Sequence, residues 1–460
     1  MNYSLKNYFF RIVFLFLITQ YCYQANAANY YINSIAGNNN NNGLSKDFPW
    51  ADLQLLNERA LMPGDSILFA KGSSFNGGVI LSGSGTPEKP IVITYYDYGS
   101  LINSTINRKD LDSIFKKYGA GPKPAFSNPV WDSLHGNIFQ IQGSYYVIDG
   151  LYFHDNTNPP GSDKYNKNVQ KMGVVYFYLG TSHNIVRHCE FFHTPVAIKI
   201  KGSNNLIEHN YFHDATVPMA QSWGPIAIMI VQPHNEICYN KIENYGSYGG
   251  PYGSDGGVVE LDGVDDDFVG HDIKIHHNIS INNQGFLEMA GHGIDSIFIY
   301  YNLSDDVDQF IGGGSMKNVI VCHNTIVRVR EPNVDRHVFW TFRSDSTSMI
   351  VSNNIFFIAP DISVFGKVNK TKGHVRSDIG EQLHDHNLYY SPGNADPVGI
   401  EKDISDMIAN PKFIDPANGN FRLQKNSVAI NAATTCFCDS DLDGYPSTKN
   451  GKSDIGAYEY

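Results

Sequence analysis

Positive charge is scarce in this chain. Its 34 lysines and arginines face 46 aspartates and glutamates, giving a net charge of −12 over 460 residues. Nucleic-acid affinity rests on Lys and Arg against phosphate, so the balance argues against that partner. Cysteine is rare, with 6 in all. Cys189, Cys238, Cys322, Cys436 and Cys438 remain once the N-terminal segment holding Cys22 is set aside, and an odd number is no disulfide framework. The first three lie within two residues of a predicted corner and read as small core residues. Long apolar runs are missing too. Ile12 to Ile18 falls short of the ~20 residues that a spanning helix needs. With Lys6 and Arg11 around it and Ala25-Asn26-Ala27 after it, the run reads as a secretory signal cleaved near Ala27. No lipobox precedes Cys22. Loss of Lys6 and Arg11 would take the net charge to −14. The expectation is a secreted chain, periplasmic or extracellular, with no membrane span.

What is abundant is a repeat. LIEHNYF, EICYNKI, IKIHHNI, IFIYYNL, VIVCHNT and MIVSNNI each run an apolar strand into an asparagine. The asparagines are Asn210, Asn240, Asn278, Asn302, Asn324 and Asn354, at gaps of 30, 38, 24, 22 and 30 residues. One supersecondary unit per period of this length is the signature of a solenoid. Strand, Asn corner, strand, loop, strand makes one coil of a parallel β-helix. Asparagine tolerates left-handed backbone at a corner, and its stacked amides can hydrogen-bond along the stack. His209, Tyr239, His277, Tyr301 and His323 precede the corner asparagines, which predicts a column of rings there rather than a metal site.

The predicted organisation is a signal over 1–27, a cap and first coils over 28–135, core coils over 136–395 and C-terminal coils or cap over 396–460. Trp50 to Leu61 reads as a short amphipathic helix able to plug the open end of the solenoid. Residues 101–130 read as an inserted loop, and regular coils start near Ile138. The opening YYINSIAGNNNNNGLSKDFPWADL, the PGDSILFAKG element and the closing FRLQKNSVAINAA with DLDG and DIGAYEY cover about a third of the chain. These ends resemble secreted bacterial right-handed parallel β-helix proteins of the pectate-lyase-like superfamily. That superfamily includes pectate, alginate and chondroitin lyases and several glycoside hydrolases. The resemblance implies a carbohydrate-active protein of all-β, right-handed parallel β-helix fold. It does not select an activity, because fold alone does not carry function.

The chemistry is read from the coil register. In a β-helix, side chains alternate between interior and outer face, and neighbouring coils lie ~4.8 Å apart. Aligning VAIKIKG, IAIMIVQ, VVELDG, FLEMAG, QFIGGG and VFWTFRS sends Ile198, Ile228, Val259 and Leu287 inward. The outward set is then Lys199, Lys201, Met229, Val231, Glu260, Asp262, Glu288, Ala290 and Gly312 or Gly313, with Arg343 following. Glu260 and Glu288 become neighbours on adjacent coils, with Asp262 two residues along. Three converging carboxylates raise at least one pKa, and a protonated acid beside an ionised one is what glycoside hydrolysis needs. Gly312 to Gly314 are expected to leave space beside them.

His292 is a candidate base or sugar-hydroxyl ligand. Lys199, Lys201 and Arg343 are candidate anion neutralisers for a uronate or sulfate. Tyr245, Tyr248 and Tyr252 are candidate stacking platforms, with Trp223 and Trp340. Calcium is the one cofactor that the acids invite, at the cluster itself or at Asp265, Asp266 and Asp267. Asp439 to Gly444 matches the first half of an EF-hand loop, but Asn450 stands where the bidentate Glu belongs. Three readings stay open: a glycoside hydrolase using Glu260 and Glu288 with Asp262, a calcium-assisted lyase or epimerase on a uronate polymer, and a non-catalytic carbohydrate-binding solenoid. The partner in each is a polysaccharide, and the chain is expected to be a monomer.

Overall fold

The computed structural model describes residues 27–96, 123–128, 136–156, 172–216, 224–250, 253–262, 269–314, 316–330, 338–341, 348–365, 381–434, 438–449 and 451–460. Three long sheets of 13, 12 and 10 strands run along the molecule, here sheets I, II and III. Every strand pairing within them is parallel. One coil shows the path. Leu206–Glu208 lies in sheet I, the chain turns at Asn210, Tyr211–Ala215 lies in sheet II and Ile226–Ile230 in sheet III. Glu236–Cys238 then returns to sheet I beside Leu206–Glu208. This is the parallel β-helix that the repeat predicts.

The interior is built from like on like. Ile198, Ile228, Val259, Leu287 and Ile311 form one column under sheet III. Phe153, Phe191 and Phe212 stack under sheet II, with centroids 4.9 and 4.7 Å apart. Each row costs little to order because its neighbour repeats it, and burial of apolar surface drives the stack.

The asparagine corner is a continuous ladder. The backbone N–H of Asn210 donates to Oδ1 of Asn240, and the same bond recurs to Asn278, Asn302, Asn324 and Asn354, at 2.9 to 3.0 Å. It runs on to Asn387 and ends on Asp406, two rungs that the repeat did not reveal. The left-handed residue is not the asparagine, as the sequence suggested, but the one before it. His209, Tyr239, His277, Tyr301 and His323 all have φ between 51° and 55°. The corner asparagine is then free to aim its amide along the stack. The ring column is observed, with His209, Tyr239, His277, Tyr301 and His323 stacked at 4.7 to 5.3 Å.

The expected capping helix is absent. Trp50 to Leu61 holds only a short 3₁₀ turn, Gln54–Leu56, and then the strand Ala60–Leu61 in sheet III. Asp52 accepts the Gln54 amide, which makes a turn of the segment's start. Trp50 closes this end instead. Its backbone exchanges hydrogen bonds with Tyr31 and Asn33 at the edge strand, and its ring stacks on Tyr30 at 5.4 Å. The first coils lie within the N-terminal part. Asn29–Ile32, Ser66–Ala70 and Ile91–Tyr96 are already neighbours in sheet I. The C-terminal segment folds back over the ring column, where His277 Nε2 meets the Ser440 carbonyl at 2.9 Å. In this segment Asp441 accepts the amides of Tyr445 and Glu459, and Asp443 takes a bidentate pair of bonds from Arg422. Among the described residues no helix is long and apolar enough to cross a membrane.

Candidate active site

Sheet III places the acids. Gly257–Leu261 pairs with Leu287–Met289 so that Glu260 sits directly opposite Glu288. The same outward row continues through Met229, Lys199, Tyr176 and Gln140 on one side. On the other side it continues through Gly312 and Trp340. The predicted register is therefore observed, and it selects Gly312 over Gly313. Asp262 follows its strand directly, two residues beyond Glu260 on the same side.

This outer face is not open surface. Lys199, Met229 and Glu260 are all buried, while Glu288 and Asp262 are partly buried. Burial first, then the charges of Glu288, Asp262 and Asp255, hold the Glu260 carboxyl well above its ordinary range, with Lys199 pulling the other way. Burial, with Asp255 and Asp262, pushes Glu288 up to about 8. Two carboxyls one rung apart, ~4.8 Å between backbones, resist double ionisation. At neutral pH such a pair holds a proton, and its titration belongs to both groups.

Asp255 is a fourth carboxylate that sequence reasoning missed. It ends an antiparallel hairpin, Ser247–Gly250 with Gly253–Asp255, inserted between a sheet II strand and the acid strand. The amides of Gly224 and Gly256 donate to it at 3.1 and 2.8 Å, yet burial still raises its pKa. A narrow crevice, too tight to admit a water molecule, lies between Gly256, Gly257, Gly285, Glu260, Glu288 and Gln309. Gly257 shows why glycine stands there. With φ 142°, a β-carbon would come within 2.3 Å of the Gly285 carbonyl oxygen.

The predicted space at Gly312 is occupied. A β-carbon there would lie 3.2 Å from the Trp340 ring and 3.1 Å from Gln309, so glycine lets those two side chains in. The crevice lies on the other flank of the acids. Trp340 thus stands two rungs from Glu288, and Tyr176 three rungs from Glu260. Tyr178 is exposed and meets Tyr176 edge-on at 5.2 Å. Rings bracket the acids along the row. The alternation in Val175-Tyr176-Phe177-Tyr178 is the sequence signal that could have found the far pair.

Other candidates divide. Lys199 is in the row, with its charge near Glu260. His292 is exposed in the turn after Leu287–Met289, outside the row. Tyr245 is not a rim platform. It is fully buried, and its hydroxyl bonds the Thr194 carbonyl at 3.0 Å. Arg343, Tyr252, Trp223, Asp265, Asp266 and Asp267 lie outside the described residues, as does the side chain of Tyr248. The calcium reading also meets a geometric test. Among the described residues, no three carboxylates of this cluster bring oxygens within 4.8 Å of one another. Carboxylate oxygens suit calcium, but they are not gathered into a cradle.

No protein-family model and no curated protein matches this chain. Solved structures do. A pectate lyase, Pel9A, superposes with a TM-score of 0.54 at 13% identity, covering 94% of this chain and 96% of its own. XylC in complex with xylose gives 0.53 at 12%, covering 94% and 98%. An alginate lyase from Paenibacillus gives 0.41 at 13%, covering 77% and 96%. At these identities the likeness establishes the fold alone, a parallel β-helix.

Proposed function

We propose that this protein is a polysaccharide-cleaving enzyme, and that it cleaves hydrolytically with Glu260 and Glu288 as its acid and base or nucleophile. One observation carries the reading: two carboxyls paired across one rung of a buried row, both with raised pKa values, beside a narrow crevice. These two face each other, with Lys199 two rungs from Glu260. The protonated member donates to the glycosidic oxygen while the ionised member attacks or activates water. Asp255 and Asp262 keep the shared proton in place by their charge. Tyr178 and Trp340 offer sugar faces along the row, as the apolar sides of sugar rings require. The fold likeness to a pectate lyase and to a xylose-bound protein agrees with a carbohydrate ligand.

The lyase reading needs a metal or cation to neutralise a uronate. The four acids supply the charge for calcium but not the gathered oxygens, so no step is routed through it. The test is incubation of the mature protein with acidic, sulfated and neutral polysaccharides, following reducing ends and the ultraviolet absorbance of unsaturated uronates together. Reducing ends without absorbance are expected. Both signals rising together would overturn hydrolysis in favour of elimination. Binding without product would leave a carbohydrate-binding solenoid. Secretion through the 1–27 signal and a monomeric state are part of this proposal and are checked by N-terminal sequencing of exported protein and by sedimentation.

A further inference from the structure

A second cluster stands on a different sheet. Glu236, Cys238 and His276 lie on the outer face of sheet I, on two neighbouring strands, with Cys238 opposite His276. One ligand atom from each falls within 4.8 Å of the other two. Cys238 and His276 are buried, Glu236 partly exposed.

The hydrogen bonds around His276 fix where its protons are. His277 Nε2 lies 2.9 Å from the Ser440 carbonyl, which only accepts, so that nitrogen carries hydrogen. In a neutral His277 the other nitrogen, Nδ1, is then an acceptor. It lies 2.7 Å from Nδ1 of His276, which must therefore donate. That leaves Nε2 of a neutral His276 as a lone pair, 3.0 Å from a Glu236 carboxylate oxygen. Two acceptors then face each other unless a proton or a metal ion joins them, with Lys274 Nζ 3.9 Å from the other Glu236 oxygen. Cys238 beside them favours the metal, because a thiol adds nothing to a histidine–glutamate ion pair but is a first-rank zinc ligand.

We propose that Glu236, Cys238 and His276 form a binding site for a borderline divalent cation of the zinc class, with water completing the set. The remaining features suit one. Zinc bonds of ~2.0–2.3 Å set tetrahedral ligands about 3.3–3.6 Å apart, so the observed 3.0 Å contact needs only a small opening. His276 is held by stacking on Tyr300, at 4.6 Å and 10°. Its Nδ1–H runs to His277 and on to Ser440, the outer-partner chain that orients a metal-bound imidazole. The ion would join two coils and, through Ser440, the C-terminal segment. A second grouping, His234, His271 and Asp272, is more exposed and lacks a thiol, which makes it the internal control.

The test is titration of the reduced, metal-stripped full chain with Zn2+ by calorimetry and with Co2+ by absorption. One tight equivalent is expected, with a thiolate-to-cobalt charge-transfer band and a rise in melting temperature on zinc binding. Cys238→Ser should abolish the band. Glu236→Gln, at a partly exposed position that leaves folding unchanged, should weaken zinc by more than the ~10–100-fold that outer partners cost. His234→Gln with His271→Gln should leave band and affinity unchanged. No tight zinc binding, a cobalt complex without the band, or a band that survives Cys238→Ser would overturn the site and leave a protonated His276–Glu236 pair.

Discussion

The asparagine corner and the acid row use the same ~4.8 Å repeat to opposite ends. At the corner, each rung is an amide, which carries donor and acceptor together. Like therefore stacks on like. Asn278 donates to Asn302, Asn302 to Asn324, and the spare hydrogens go to carbonyls such as that of Ile275. Where donation stops, the last rung needs only to accept, and there an aspartate stands: Asp406 after Asn387, and Asp306 after Asn283 in a second ladder. In sheet III the repeat sets Glu260 on Glu288, two groups that only accept once ionised. Stacking amides satisfies them. Stacking carboxyls leaves a demand for a proton, and the proposed chemistry draws on that demand. A fold that rewards repetition can store reactivity only where a rung is repeated that should not be.

The comparison predicts what each region does when broken. Glu260→Gln or Glu288→Gln should cut turnover by about 10²–10⁴-fold, measured as initial reducing-end release, while the melting temperature holds or rises because one like charge is gone. Asn302→Ala should do the reverse. It strands the amide hydrogens of Asn278 and the Ile275 carbonyl, at about 1–3 kcal/mol for each buried group, so a loss of about 3–5 kcal/mol is expected by denaturant unfolding. Turnover at a permissive temperature should be retained.

The pH dependence separates the regions further. Glu288 binds a proton up to about 8 when folded and only to its ordinary range when unfolded. Its contribution to stability is therefore present at low pH and falls as pH rises from that ordinary range towards 8. Activity should rise as pH climbs towards about 8, where Glu288 becomes the ionised partner while Glu260, pushed further up by the Glu288 charge, keeps its proton. Asn302→Ala should keep both slopes, and Glu288→Gln should flatten both up to about 8 while Glu260, raised first by its own burial, keeps its own, as read by melting temperature and rate across pH. The smallest effect is expected from Lys199→Met. Two rungs of ~4.8 Å at an effective dielectric near 20 make its pull on Glu260 about 1–2 kcal/mol. Its loss should move the alkaline limb upward by about one pH unit, read from the rate profile.

The ladder and the row were both legible because both are local patterns repeated at coil spacing. Apolar alternation in VVELDG and FLEMAG fixes which side chains face out, and the Asn corner fixes how coils align. Asp255 was not legible, since it arrives on an antiparallel hairpin that belongs to no coil. Nor was the filling of the Gly312 gap, because Trp340 reaches it from the following coil. The helix expected over Trp50 to Leu61 failed for a tertiary reason. Its apolar spacing fits a helix, but Ala60 and Leu61 gain a sheet neighbour in Ser82 and Gly83, and Trp50 gains the edge of sheet I. Local propensity yields when an open edge must be paired.

The most direct test of the acid row is a kinetic cycle on whichever polysaccharide is cleaved, comparing Glu260→Gln, Glu288→Gln and the double variant. Groups that share one proton act as a unit, so the account predicts that all three lose turnover to nearly the same extent. Full activity in both single variants, or losses that multiply in the double, would contradict it.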